Sequence, residues 1–166
     1  MDYARNAGLT GVSFIKGRLE HMFLGQYRHT IDNKGRLTIP ARYRELLVEG
    51  AYVIQGFDQN LMVLTPSAFD SVSRHVSQMS MTDPTARQLK RLLFSTGDKV
   101  EVDRSGRILI QQFLREVASL DSEAIVVGVG DYFEIWAPEV WEQQATLIKD
   151  VDANAQRFVA FDLFAG

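Results

Sequence analysis

The chain has 166 residues, a formal net charge of −3, 46% hydrophobic residues and no cysteine. Without cysteine it can form no disulfide and offers no thiolate to a metal or to a nucleophilic reaction. The length suits one domain or two small halves with a shared core, and no apolar stretch nears the ~18 residues of a membrane span, so we expect a cytoplasmic protein.

Charge is distributed unevenly along the chain. The segment 28–45 carries five basic and two acidic residues, whereas the segment 116–147 carries seven acidic residues and neither lysine nor arginine. A local excess of positive charge can steer an anionic partner even when the net charge is negative. The pattern predicts a basic face on an otherwise acidic body.

The first 21 residues match nothing else in the chain. They mix glycine with small and basic residues, and the patterned region opens only at Met22. We interpret residues 1–21 as an N-terminal extension, either a leader or vector-derived, and leave it out of the fold argument. A flexible basic arm is the alternative interpretation.

From Met22 onward, alternating apolar residues predict short strands, and capping residues followed by proline predict helix starts at Pro66 and Pro84. The first half predicts strands at 26–31, 37–39, 51–54 and 61–64, with helices at 41–47, from 66 and after 83. The second half predicts strands at 99–103, 107–110, 124–129 and 132–136, with helices at 112–119 and from 138.

The two halves repeat one another. The segment 30–39 returns as 101–110 at an offset of 71 residues, and 61–66 returns as 133–138 at an offset of 72. One such unit is too small to close a core, so we predict an α+β fold in which two units exchange strands to form one β-barrel with short flanking helices. We place the first repeat with its helix at 22–82, the second at 83–148 and a C-terminal tail at 149–166.

The tail carries three phenylalanines, Phe158, Phe161 and Phe164, at spacings of three residues. This spacing indicates an amphipathic turn that either docks on the body or contacts another subunit.

Each repeat carries a charged loop, Asp-x-x-Gly-Arg, between its first two strands. The favoured role of the aspartates and glycines is structural: glycine tolerates positive φ, and aspartate can accept hydrogen bonds across a tight turn. We therefore assign loop-structuring roles to Asp32, Gly35, Asp103 and Gly106.

The basic residues of the loops have a different role. A hairpin needs neither Lys34 nor Arg104 for its geometry, so two loops that project cations resemble a phosphate-contacting surface. Arg36 and Arg107 have three candidate partners, because a planar guanidinium can bind the loop aspartate, a phosphate or the O6/N7 edge of guanine.

No set of residues assembles an acid, a base and a nucleophile. The segment 128–131 has two glycines of a dinucleotide-binding motif but lacks the third glycine and the following helix. The three histidines lack metal-ligand spacing. We therefore predict a protein that is not an enzyme, with no catalytic residues, no cofactor, no metal, no small-molecule substrate and no membrane partner.

Three motifs resemble those of the MraZ family, bacterial regulators associated with the division and cell-wall gene cluster. They occupy 32–44, 87–94 and 103–107, and the resemblance extends over 22–141, about 120 of the 166 residues. The doubled Asp-x-x-x-Arg loop is typical of that family, which is similar to the AbrB-like swapped-hairpin proteins.

The resemblance implies two tandem AbrB-like swapped-hairpin repeats in one pseudo-symmetric barrel, assembled into a ring-shaped homo-oligomer. It implies a nucleoid-associated transcriptional regulator that recognises short G-rich direct repeats in double-stranded DNA upstream of its own operon. It places DNA contact on Lys34, Arg36, Arg104 and Arg107.

Equal roles for the two loops are not expected, because the second has Arg104-Ser105 where the first has Asn33-Lys34. The alternative function is an oligomeric scaffold that binds a protein partner without specific DNA binding. The acidic C-terminal half favours that alternative.

Overall fold

Most strand pairs of this protein join its first half to its second. The computed structural model describes residues 17–165, with 17–20 helical; residues 1–16 of the expected N-terminal extension lie outside this range. The strands are β1 Gln26–Thr30, β2 Arg36–Thr38, β3 Ala51–Gln55, β4 Asn60–Leu64, β5 Asp98–Val100, β6 Arg107–Leu109, β7 Glu123–Gly128 and β8 Tyr132–Trp136. The helices are α1 Ala41–Arg44, α2 Pro66–Ser77, α3 Pro84–Thr96, α4 Gln112–Val117, α5 Pro138–Lys149 and α6 Val151–Phe158, with 3-10 turns at Glu45–Leu47 and Val159–Phe161.

The predicted elements are confirmed, with differences at their ends. The largest difference is at β5, which ends at Val100 although alternation predicted a strand to Asp103. From Glu101 the chain already enters the charged loop, where the Asp103 N–H donates to the Arg107 carbonyl at 2.8 Å. Two predicted helix starts have side-chain caps: Thr65 accepts from the Ala68 N–H, and Asp83 accepts from the Thr85 N–H.

All strand pairs are antiparallel and lie in two sheets. The larger sheet has the order β1-β7-β8-β4-β3-β5, and β2 pairs with β6 in a separate ribbon. Only the hairpins β3–β4 and β7–β8 join strands of the same half; β1–β7, β3–β5, β4–β8 and β2–β6 all join one half to the other. The prediction of two similar units in a fold of helices and antiparallel strands is confirmed, and strands of one unit pair with strands of the other.

The main core lies between the large sheet and the ribbon. Leu37 of β2 and Ile108 of β6 are register partners, and both are fully buried in the same cluster as Phe133 and Ile135 of β8. On the outer face of the sheet, α3 covers Ile54 of β3 through Leu93. The ribbon therefore closes the core from the side opposite the long helices.

The C-terminal tail is not docked on the described part of the chain. Phe158 is 48% exposed, Phe161 69% and Phe164 99%. The docked turn that the spacing allowed is thus wrong for the described residues. There, α6 bonds to the end of α5, through Asn154 to the Ile148 carbonyl and Arg157 to the Leu147 carbonyl. None of the described helices is long and apolar enough to cross a membrane.

We expect Leu37→Ala to lower the free energy of unfolding by about 2–5 kcal/mol, because it leaves a cavity in the core that both halves share. Leu109→Ala, in the same ribbon but 47% exposed, is the matched control and should cost far less. Urea unfolding of both variants measures the difference. Equal losses would show that the ribbon is not part of the cooperative core.

Candidate nucleic-acid interface

A single carboxylate closes the first charged loop. Asp32 Oδ1 accepts the main-chain N–H of Lys34 at 3.0 Å and that of Arg36 at 2.9 Å, and Oδ2 accepts Arg36 Nε at 2.7 Å. Gly35 turns the chain with a φ of +84°, a region that favours glycine. Asp32 thus joins the two sides of the loop, and Gly35 lies at its reversal.

The second loop repeats this pattern atom for atom. Asp103 Oδ1 accepts the N–H groups of Ser105 at 2.9 Å and Arg107 at 3.0 Å, and Oδ2 accepts Arg107 Nε at 3.1 Å. Gly106 has a φ of +75°. The 71-residue offset in sequence therefore corresponds to the same loop conformation.

The two loops meet, and they meet asymmetrically. Arg107 Nη1 donates to Asp32 Oδ2 at 3.3 Å across the two halves, while its Nη2 lies 3.1 Å from its own aspartate, Asp103. Arg36 makes no matching contact with Asp103: within residues 17–165 only its Nε is bonded to a carboxylate. All three guanidinium nitrogens of Arg107 thus contact a carboxylate, whereas within the described residues the two terminal nitrogens of Arg36 contact none.

The remaining cations of the loops point outward. Lys34 and Arg104 are exposed, and neither forms an ion pair within the described residues, whereas the adjacent glycines Gly35 and Gly106 are buried. A mobile cation on a rigid loop can follow a phosphate without loss of internal bonds. The structure thus brings all four predicted DNA-contacting residues to two adjacent loops, two of them bonded to aspartate and two exposed.

The carboxyl groups of both loops are held in their ionised form. The pKa of Asp32 is lowered from 3.8, chiefly by the hydrogen bond from the Arg36 N–H; desolvation opposes the shift, and the Arg36 side chain and the Lys34 N–H reinforce it. The pKa of Asp103 is lowered in the same way, first by the Arg107 N–H. At neutral pH each loop is therefore closed by a carboxylate.

Two further arginines contact the loops, and sequence reasoning did not single them out. The guanidinium of Arg115 lies over Gly35, where a Cβ would come 2.8 Å from its Nε, and the guanidinium of Arg44 lies over Gly106 so closely that a Cβ there would overlap it. The repeat offset of 71 is the signal that could have found them, because it aligns Arg44 with Arg115.

Within residues 17–165 there is no group of three or more histidine, aspartate and glutamate side chains that could hold a metal ion. The charged groups that the two loops present are guanidinium, ammonium and carboxylate groups.

Comparison with known proteins gives the family. The family model described as "MraZ protein, putative antitoxin-like" matches twice, at residues 22–92 and 93–162. A protein from Roseiflexus sp. (strain RS-1), named transcriptional regulator MraZ, is 47% identical over 137 residues, which cover 82% of this chain and 94% of the relative.

Two other relatives carry the same name. The protein from Thermomicrobium roseum is 46% identical over 76% of this chain and 89% of its own length, and the protein from Herpetosiphon aurantiacus is 40% identical over 86% and 100%. The repeated loop and the strand pairs between the two halves define a protein of two tandem repeats whose strands pair with one another. The chain belongs to the MraZ family.

We expect Asp32→Asn to destabilise the protein at neutral pH and to lose this effect in acid. Because the folded-state pKa of Asp32 lies below its unfolded value of 3.8, the carboxylate contributes stability that is present above that value and is lost as pH falls through the folded-state pKa. Urea midpoints of wild type and variant from pH 7 down to pH 3 measure the difference.

Asp70→Asn is the control for this experiment, since Asp70 lies on α2, outside both loops. A gap between wild type and Asp32→Asn that is constant with pH would contradict the role of the carboxylate in closing the loop.

Proposed function

We propose that this protein is a DNA-binding transcriptional regulator whose two charged loops contact one duplex together. The observation that carries the proposal is the bond between the loops, Arg107 to Asp32, which fixes the exposed cations Lys34 and Arg104 on one surface. The names of the relatives support the regulatory role. A location in the cytoplasm, at the nucleoid, follows from that role.

The number of guanidinium nitrogens that are free to donate determines which DNA contact each arginine can make. Arg36 has both Nη atoms available and can form a bidentate contact with the O6/N7 edge of guanine, which suits G-rich sites. Lys34 and Arg104 suit phosphate contacts, which position the protein but carry no sequence information. Arg107 bonds to both loop aspartates and so keeps fewer free N–H groups than Arg36, and we assign it a smaller share in DNA contact.

The sites we propose are short G-rich direct repeats upstream of the protein's own operon. Each protomer supplies one loop from each repeat, at 22–82 and 83–148, and strand exchange between these repeats closes the sheet and the ribbon into a barrel. One pair of loops contacts few bases, and a net charge of −3 gives little non-specific attraction. High affinity therefore requires several protomers on several repeats.

A ring-shaped homo-oligomer would supply these protomers, and the C-terminal segment offers a surface for it. Large apolar side chains in this segment are about half or more exposed, a density that is unusual for a monomer. They are Leu147, Ile148, Val151, Phe158, Val159, Phe161, Leu163 and Phe164. A protein-binding scaffold would use the same surface, and DNA-binding experiments separate the two functions.

We expect Arg36→Ala to abolish specific DNA binding and to lower the melting temperature less than Asp32→Asn does, because Asp32 keeps its two main-chain N–H bonds and the flanking strands carry the packing. A lost bidentate base contact costs about 1–3 kcal/mol for each subunit engaged. Electrophoretic shifts with the protein's own upstream DNA and with shuffled DNA, beside thermal melts, measure both quantities.

Arg91→Ala removes the same charge from α3 and should leave specific binding intact. Wild-type affinity together with an unchanged melting curve in Arg36→Ala would overturn the proposal. A lowered melting temperature with specific DNA binding retained would mean that the role of Arg36 is limited to its bond with Asp32.

We also expect binding to depend on the spacing of the DNA repeats. Adjacent repeats must lie about one helical turn apart, roughly 10 bp, to present the same groove to neighbouring protomers. A DNA with three repeats should bind about 10²–10⁴-fold more tightly than one with a single repeat. Insertion of ~5 bp between repeats turns alternate repeats to the far side of the helix, so it should return affinity toward the single-repeat value.

The double variant Phe158→Ser/Phe161→Ser tests the assembly surface in the same assay. It should keep single-repeat affinity and lose the gain from three repeats. Equal binding of wild type to all three DNAs would leave the regulator without its multivalent mechanism.

A further inference from the structure

Each charged loop is held by the opposite half of the chain, through a closed set of contacts. In the first loop, the Gly35 carbonyl accepts the Ile110 N–H at 2.9 Å, and the Ile110 carbonyl accepts Arg115 Nε at 3.1 Å. The guanidinium of Arg115 then lies against the open side of Gly35. The main chain of Ile110 thus links the arginine and the loop, through its N–H on one side and its carbonyl on the other.

The same contacts recur in the second loop with the two halves interchanged. The Gly106 carbonyl accepts the Ile39 N–H at 2.9 Å, and the Ile39 carbonyl accepts Arg44 Nε at 2.8 Å. Arg44 comes from the first half and Gly106 from the second. The loops are therefore held crosswise.

Only an arginine opposite a glycine can form this arrangement. The Nε bond to the carbonyl limits where the planar guanidinium can lie, and the guanidinium occupies the space beside the glycine into which a Cβ would project. A lysine side chain has the same charge, but it lacks the Nε–H donor within the chain and the planar guanidinium group. Each arginine thus limits where its loop glycine, and the cation beside it, can lie.

We propose that Arg44 and Arg115 are positioning residues for the DNA-contacting surface, each setting the loop of the opposite repeat. Arg115 positions Lys34 and Arg36, and Arg44 positions Arg104 and Arg107. The DNA part of this inference rests on the proposed function, whereas the crosswise hold on the loops does not. The second half can therefore control the loop of the first half without touching DNA.

The first test needs no DNA. Amide hydrogen exchange of the free protein should show Ile110 exchanging at least about tenfold faster in Arg115→Ala, with Ile39 unchanged, since local opening reports local bonds. In Arg44→Ala the result should be reversed: the Ile39 amide should exchange faster and the Ile110 amide should be unchanged. Equal effects on both amides, or none, would overturn the crosswise hold.

Conservative variants separate the plane of the guanidinium from its charge. Arg115→Lys and Arg44→Lys keep the charge, and they should show the same selective exchange as the alanine variants. Protection restored by lysine would mean that only charge is needed, and the positioning role would be wrong. These variants also serve if an alanine variant fails to fold.

The second test is a set of double-mutant cycles in DNA affinity. Arg115→Ala combined with Lys34→Ala should lose less affinity than the product of the single losses, by about threefold or more, because both act on one loop. Arg115→Ala with Arg104→Ala should be multiplicative. Arg44→Ala should show the reverse pattern: its loss of affinity should be coupled to that of Arg104→Ala and independent of that of Lys34→Ala.

The outcomes distinguish this inference from the proposed function. If wild type binds no DNA specifically but the exchange pattern holds, the proposed function fails and the crosswise positioning stands. If wild type binds DNA and all cycles are multiplicative, with the salt slope lowered by about one per arginine, Arg44 and Arg115 are direct phosphate contacts and the inference is overturned.

Discussion

Antiparallel pairing between the two halves is the constraint on which the rest of the structure depends. Four of the six strand pairs cross from one half to the other, and the ribbon of β2 and β6 consists of nothing else. Each loop follows directly from an exchanged strand, so its glycine meets a carbonyl-bound arginine from the opposite half. Neither half alone contains both members of any such contact, so the covering arginine reaches its loop only when both halves are folded together.

In the proposed function, rigidity of the loops matters more for DNA recognition than total charge does. A flexible loop would lose conformational entropy on binding, whereas a loop already closed by a carboxylate has little left to lose. The carboxylates also neutralise part of the positive surface, and Asp32 alone contacts two guanidinium groups. In the proposed function, specificity would then come from the few donors that remain free, above all the terminal nitrogens of Arg36.

Sequence patterns predicted the local structure well, because its causes are local. Alternation marked the strands, and Thr65 and Asp83 marked helix starts. The loop geometry followed from Asp-x-x-Gly-Arg. The arginine that covers Gly35 lies 80 residues away, at Arg115, and no spacing rule connects them. The tail was ambiguous for a similar reason: phenylalanines three residues apart fit any apolar partner, and the partner is not encoded nearby.

The two repeats share a fold, but the helix that follows each repeat packs differently on its apolar surface. Val76 of α2 is buried beside Leu93 of α3, whereas Ile148, at the equivalent position on α5, is 52% exposed. The cause is the direction of α6, which bonds to the end of α5 and leaves the face beside it open. The apolar surface thus lies on the C-terminal helices, while the cations lie on the loops between exchanged strands. Because different elements carry the two surfaces, the protomer contacts and the DNA contacts that we propose would not compete for the same residues.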